Sequence, residues 1–223
     1  MSPPTLAIQE QTSHIPAEQR VIVQPVSWTT YEQLLADLAN QSSTRLTYDQ
    51  GMLEIMSPLP EHEEGNRTIA LLVEVLAEEM GIDVRNFGST TFRREDLARG
   101  FEPDSCFYIQ HEADISGKST IDLTVDPPPD LVIEVDITSG SLDKLPIYAQ
   151  VGVPEIWRYN GQRLRISILT AGGYVESEAS LALPLLTGPR LSEALLQSKS
   201  MKRTALLRSF RTWVRQERRR RRR

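Results

Sequence analysis

Two acidic residues stand where a charge is expensive. Asp104 follows Glu102-Pro103 at the head of the apolar run Ser105 to Ile109, and Glu134 interrupts Leu131-Val132-Ile133-Glu134-Val135. A carboxylate moved from water into apolar strand sequence must be paired, coordinated or neutralised. If the two strands are neighbours, both carboxylates point at one spot on the sheet edge and form a hard oxygen site suited to Mg2+ or Mn2+. The carboxylates repel each other, and a divalent cation relieves that. The competing reading has Glu134 facing solvent or paired with an arginine, and spacing alone does not separate the two. Lys144 comes ten residues after Glu134, beside Asp143. From the first turn of the following helix its amine can reach back toward a metal-held phosphate; viewed alone, it is an exposed helix lysine.

Other polar residues lie close in sequence. Asp136 shares a strand face with Glu134 by period two. It is either a third metal ligand or the cap of the turn at Thr138-Ser139, and the turn role is preferred. His62 and Glu64, with Glu61 and Glu63, precede a long apolar stripe, where glutamates ordinarily complement a helix dipole. The single cysteine, Cys106, has no partner for an internal disulfide and no thiol neighbour for zinc. It reads as a small buried hydrophobe.

The elements that would position these groups follow from periodicity. Residues 1–26 carry Pro3, Pro4, Pro16 and Pro25 without apolar periodicity and read as a poorly ordered arm. A helix capped by Ser27 or Thr29 runs to about Leu38, and Arg45 to Tyr48 with Met52 to Met56 form a hairpin around Asp49-Gln50-Gly51. Ile69, Leu72, Val73, Leu76 and Met80 make the stripe of the main helix, which Gly81 ends. Strands are expected at Val84 to Phe92, Ser105 to Ile109 and Leu131 to Ile137, the last entered through the rigid Pro127-Pro128-Pro129. A short helix opens at Ser139-Gly140-Ser141 and reaches Gln150; a strand follows at Val153 to Tyr159, then a hairpin around Gly172-Gly173. C-terminal helices are expected at Leu191 to Gln197 and Lys202 to Gln216. The order over residues 62–159 is helix, three strands, helix, strand. That order describes a mixed α/β sheet flanked by helices, within one domain at 27–200 followed by a basic helix and tail at 201–223.

Charge is unevenly placed. Of 25 Lys/Arg and 30 Asp/Glu, residues 201–223 hold eleven and one, which leaves 14 basic against 29 acidic residues before them. Such a body repels bulk nucleic acid, so contact with it needs local cations, bound metal or the arginine run Arg218, Arg219, Arg220, Arg221, Arg222 and Arg223. A like-charge block of this kind reads as a solvated arm able to make sequence-independent phosphate contacts. No run of eighteen apolar residues marks a membrane span, and Met1 to Gln24 lack a secretory pattern, so a cytoplasmic protein is expected.

The run Pro129-Asp130-Leu131-Val132-Ile133-Glu134-Val135, followed by Lys144-Leu145, Tyr148-Ala149 and Gly152-Val153-Pro154-Glu155-Ile156-Trp157, resembles the Uma-two family of endonucleases. Met56-Ser57-Pro58 with His62, and Glu102-Pro103-Asp104, extend the resemblance over about residues 27–190. It implies a restriction-endonuclease-like core, whose helix, three strands, helix, strand order is the one read above. It further implies Asp104 and Glu134 as metal ligands and Val135 as a ligand through its backbone carbonyl. The superfamily places a lysine two residues after the glutamate, where this chain has Asp136; in the Uma-two family that lysine has moved to the next helix, and Lys144 matches the new position. An acidic ligand is often added at the start of the main helix, which makes His62 and Glu64 weaker candidates. The implied function is metal-dependent hydrolysis of phosphodiester bonds, DNA first, using Mg2+ or Mn2+, with Asp104, Glu134 and Lys144 catalytic. Double-strand cutting in this superfamily often pairs two sites, so a homodimer is expected by analogy. The alternative is a catalytically idle nuclease fold that binds nucleic acid or protein, which the acidic body and Asp136 favour.

Overall fold

The computed structural model describes residues 19–39, 44–137 and 142–221. Strand β1 (Gln19–Val23) leads to α1 (Trp28–Leu38), whose N-cap Ser27 accepts the Thr30 N–H. Strands β2 (Arg45–Asp49) and β3 (Met52–Ser57) form the expected hairpin, and both Gln50 and Gly51 take the positive φ that its two-residue turn requires. Helix α2 (Pro60–Met80) starts on a proline and ends at Gly81, whose φ of 68° closes the last turn. Strands β4 (Arg85–Asn86), β5 (Phe92–Arg94), β6 (Arg99–Phe101), β7 (Ser105–Tyr108) and β8 (Leu131–Val135) follow. Helix α3 (Leu145–Val151) precedes β9 (Glu155–Tyr159), the hairpin β10 (Leu164–Thr170) and β11 (Gly173–Ser177), and helices α4 (Gly188–Ser198) and α5 (Arg203–Arg220).

The strands make two sheets, ordered β1-β3-β2-β6-β5 and β11-β10-β9-β8-β7-β4. In the larger sheet β4, β7 and β8 are antiparallel neighbours, and β9 joins β8 in parallel after α3. With α2 in front, this is the helix, three strands, helix, strand core of the expected mixed α/β fold. Leu131, Ile133 and Val135 pack with α2, α4 and α5 on one face, whereas Val132 packs with Ile147, Tyr148 and Val151 of α3 on the other. Coverage on both faces explains why β8 reads as a continuous apolar run. A smaller cluster, Tyr31, Leu46, Tyr48 and Leu53, ties α1 to the first sheet.

Four boundaries depart from the sequence expectation. Gln19–Val23, read as arm, pairs with β3 along its whole length as an edge strand; five residues between prolines are too short to show a period. The strand expected at Val84 to Phe92 is split between the two sheets, with Gly88 at φ 59° between the pieces. Strand β6 went unread because Gly100 interrupts it. That glycine lies against Tyr31, and a Cβ there would overlap the phenol. Helix α3 begins at Leu145, with Pro146 in its first turn, and residues 142–144 before it are not helical; the expected start at Ser139-Gly140-Ser141 lies outside the described residues.

Candidate active site

The ladder between β7 and β8 ends where Ser105 faces Ile133. Beyond that point a side chain continues it: Oδ2 of Asp104 accepts the Val135 N–H at 2.6 Å. The same oxygen lies 3.2 Å from Nε2 of His62, and the Asp104 carbonyl accepts Nδ2 of Asn66 at 2.8 Å. His62 and Asn66 are one turn apart on α2 and both buried, so one helix face supports the aspartate. Its other oxygen, Oδ1, ion-pairs with Arg45 of β2, which also pairs with Glu63.

Glu134 projects from the opposite face to Val135, toward α3. Lys144, at the N-cap of α3, places Nζ 3.0 Å from its Oε2, and the hydroxyl of Tyr148 donates to its Oε1. Lys144 and Tyr148 are joined by the first helical hydrogen bond, Tyr148 N–H to Lys144 carbonyl, so the start of α3 delivers both donors to one carboxylate. Burial and the adjacent carboxylate push the Tyr148 pKa well above the ordinary phenol value, which keeps the hydroxyl a donor. Glu134 therefore neither faces solvent nor pairs with an arginine.

A cleft lined by Glu134, Val135, Asp136, Lys144, His62 and Arg158 gathers five of the residues singled out from sequence, whereas Asp104 lies behind His62 and does not line it. Asp136 is held by two guanidinium groups, Arg20 at 3.3 Å and Arg158 at 3.0 Å. Its preferred role, capping the turn at Thr138-Ser139, falls on residues outside those described. Glu64 is exposed and does not line this cleft; Glu63 is the acid of that turn that approaches the centre, through Arg45. The arginine run is helical rather than a free arm through Arg220, and α5 packs on α2 and α4. Arg218 donates to the Glu79 carbonyl and Arg221 to that of Pro184, while Arg220 pairs with Glu217. Arg219 is exposed; Arg222 and Arg223 lie outside the described residues.

Donor chemistry at Asp104 and Glu134 fits a divalent cation. Two buried carboxylates, each now neutralised by a cationic side chain, supply hard oxygens beside the backbone of Val135. Among the described residues no three His, Cys, Asp or Glu side chains converge, so the remaining positions would fall to backbone, water and phosphate oxygens, as Mg2+ commonly accepts. Sequence reading missed Arg45, Tyr148 and Arg20. A basic residue in the fully buried run Arg45-Leu46-Thr47-Tyr48 was a usable signal for the first; the others come from tertiary contacts alone.

A family model named Uma2, described as "Putative restriction endonuclease", matches residues 28–199. No curated protein matches the chain. Among solved structures it is similar to one described as a "putative nuclease belonging to DUF820" from Anabaena variabilis, with a TM-score of 0.47 and 15% identity over 67% of this chain and 90% of that one.

Proposed function

The chain belongs to the Uma2 family, and on that premise we propose that it is an endonuclease hydrolysing phosphodiester bonds of DNA with Mg2+ or Mn2+ held by Asp104, Glu134 and the Val135 carbonyl. The observation that carries this reading is that two buried carboxylates stand at the same end of neighbouring strands, Asp104 at the head of β7 and Glu134 in β8, with Lys144 in contact with the second. When bound, the ion supplies a Lewis acid for a phosphodiester oxygen and lowers the pKa of a water.

The chain's own residues do the positioning. Val135 N–H and His62 fix the Asp104 carboxylate, and Tyr148 fixes Glu134. Lys144, a compact point charge, turns from Glu134 to the non-bridging phosphate oxygens as negative charge grows there. The protein would act in the cytoplasm; among the described residues no helix is long and apolar enough to cross a membrane. Two copies would pair to cut both strands, and β1, the edge strand of its sheet among the described residues, with Val21, Ile22 and Val23 exposed, is the surface we assign to that contact. Size-exclusion mobility that is monomeric with and without DNA removes this last point.

A second reading, the idle module, is favoured by one observation: each carboxylate already holds a cation, Arg45 or Lys144. Cleavage of supercoiled plasmid and single-stranded oligonucleotides by wild type and Glu134→Ala, with Mg2+, Mn2+ or EDTA, separates the two. Metal-dependent cutting that the variant loses supports the nuclease. Absence of cutting on every substrate, with no Mn2+ binding by calorimetry, leaves the module.

A further inference from the structure

A row of charges on the α3 side of the larger sheet leads away from Glu134. The register sets Glu134 opposite Arg158, and Arg158 opposite Arg165 on the next strand. Directly paired residues project from one face, and adjacent strands lie about 4.7–4.9 Å apart. The three side chains therefore step across β8, β9 and β10. Every other residue of β9 is buried, and Arg158 is the exposed one; Arg165 is exposed on β10. Two arginines directly opposite each other repel modestly, and Asp136 offsets this at Arg158. Helix α3 covers the apolar end of this face, where Cys106, Val132 and Ile156 meet Ile147 and Val151, and the arginines remain open to solvent.

The first arginine is held in place. Oδ2 of Asp136 accepts from Arg158 at 3.0 Å, while Oδ1 lies 3.3 Å from Arg20, and all three line the cleft that contains Glu134 and Lys144. The Arg20 side chain is 9% exposed and that of Arg158 44%, so one guanidinium is anchored inside and the other presented at the mouth. A planar fork of donors held this way suits a phosphate, which it can engage through two parallel hydrogen bonds.

We propose that Arg158 and Arg165 bind backbone phosphates of a polynucleotide strand beside the scissile bond, with Asp136 and Arg20 as positioning residues for Arg158. This rests on the nuclease reading of Glu134. It gives Asp136 a role that a lysine at that position could not fill. The arginine-rich helix α5, by contrast, lies with α2 and α4 on the other side of the sheet.

Anisotropy of labelled single-stranded and duplex oligonucleotides, titrated with salt, tests the row in a Glu134→Gln background with Mg2+ present. Arg158→Ala and Arg165→Ala are each expected to weaken binding several-fold and to lower the slope of log affinity against log salt by about one. Arg208→Ala, an exposed arginine of α5, leaves both unchanged. Asp136→Asn weakens binding alone but adds nothing to Arg158→Ala, which a purely structural Asp136 would not do. Parent affinity and slope in the Arg158→Ala/Arg165→Ala double variant overturn the proposal. Wild-type protein that binds with the expected slope but never cuts with Mn2+ removes the nuclease reading and keeps the row. Wild type that cuts while the double variant binds normally removes the row alone, and a protein that neither binds nor cuts removes both.

Discussion

Replacing Arg45 by methionine isolates the charge that balances Asp104. The Arg45 side chain is 9% exposed and Asp104 is fully buried, so the pair has little solvent to screen it. Methionine keeps an unbranched apolar stem of similar reach and removes only the guanidinium. Asp104 would retain the Val135 N–H and His62, but as an uncompensated buried charge, a change that costs about 3–5 kcal/mol. Against a total stability of about 5–15 kcal/mol the variant stays folded with its urea midpoint markedly lowered. If Asp104 is also a metal ligand, a divalent ion can supply the missing charge. At a hundred times its Kd an ion stabilises the native state by about 2.7 kcal/mol, so Mn2+ should recover much of the deficit. The assay is urea unfolding at pH 7.5 in EDTA and in Mn2+, for wild type, Arg45→Met and Arg45→Met/Asp104→Asn. The double variant should be more stable in EDTA than the single and gain nothing from Mn2+. An Arg45→Met protein as stable as wild type in EDTA, or a double variant no better than the single, would refute the electrostatic account and leave Arg45 a packing residue.

Three further outcomes are expected. Tyr148→Phe removes a buried hydroxyl that donates to a carboxylate; it should lower stability by about 1.5–3 kcal/mol in urea and reduce kcat more than oligonucleotide binding. Gly100→Ala forces a Cβ onto the Tyr31 phenol, which is stacked on Tyr48 at 5.0 Å and cannot swing aside. A loss of about 1–3 kcal/mol is expected in thermal melts. Tyr31→Phe should be neutral or stabilising alone, since its buried hydroxyl has no hydrogen-bond partner among the described residues, and should rescue part of that loss. Glu155 is buried and desolvation raises its pKa, against hydrogen bonds from Ala182 N–H and the Trp157 indole. The associated stability is complete below the unfolded carboxyl value and is lost as pH rises through the higher folded one. Glu155→Gln should flatten that descent in urea midpoints measured from pH 4 to 8, and an unchanged slope would count against it.

What could be read without coordinates was whatever is local or repeats with a period. The stripe from Ile69 to Met80 and the stop at Gly81 specify α2 on their own, and Asp49-Gln50-Gly51 specifies a hairpin. Glu134 was visible because a charge within five strand residues violates the apolar pattern of β8. Lys144 was legible as a cation on the following helix, but its pairing with Glu134 and the hydroxyl of Tyr148 were not, because α3 brings both to the carboxylate only after Pro146 has fixed where that helix starts. Arg20 and Arg45 come from the smaller sheet, and no local pattern says that their strands lie beside β8. The same holds for the divided strand at residues 84–94, where one stretch of sequence serves two sheets.

Net charge was a poor guide to the surface for the same reason. The acidic excess before residue 201 suggests a body that repels a polyanion; internal pairs leave that excess unchanged, since each cancels one charge of either sign, but the total does not say where the remaining cations stand. Asp104 holds Arg45, Glu134 holds Lys144, and Glu54 pairs with Arg20 and accepts the Leu142 N–H. A neutralised pair inside the protein contributes little field at the surface. The tail is diminished in the opposite sense: Arg211 and Arg215 are spent on Glu78 and Glu79, and Arg218 on the Glu79 carbonyl at the end of α2. Arg158 and Arg165 pass unnoticed in a composition but stand exposed in register with Glu134. A phosphate responds to cations within a Debye length, about 8–10 Å at moderate ionic strength, rather than to a total summed over the chain. Two exposed guanidinium groups in register with Glu134 therefore matter more to a bound strand than the sign of the net charge.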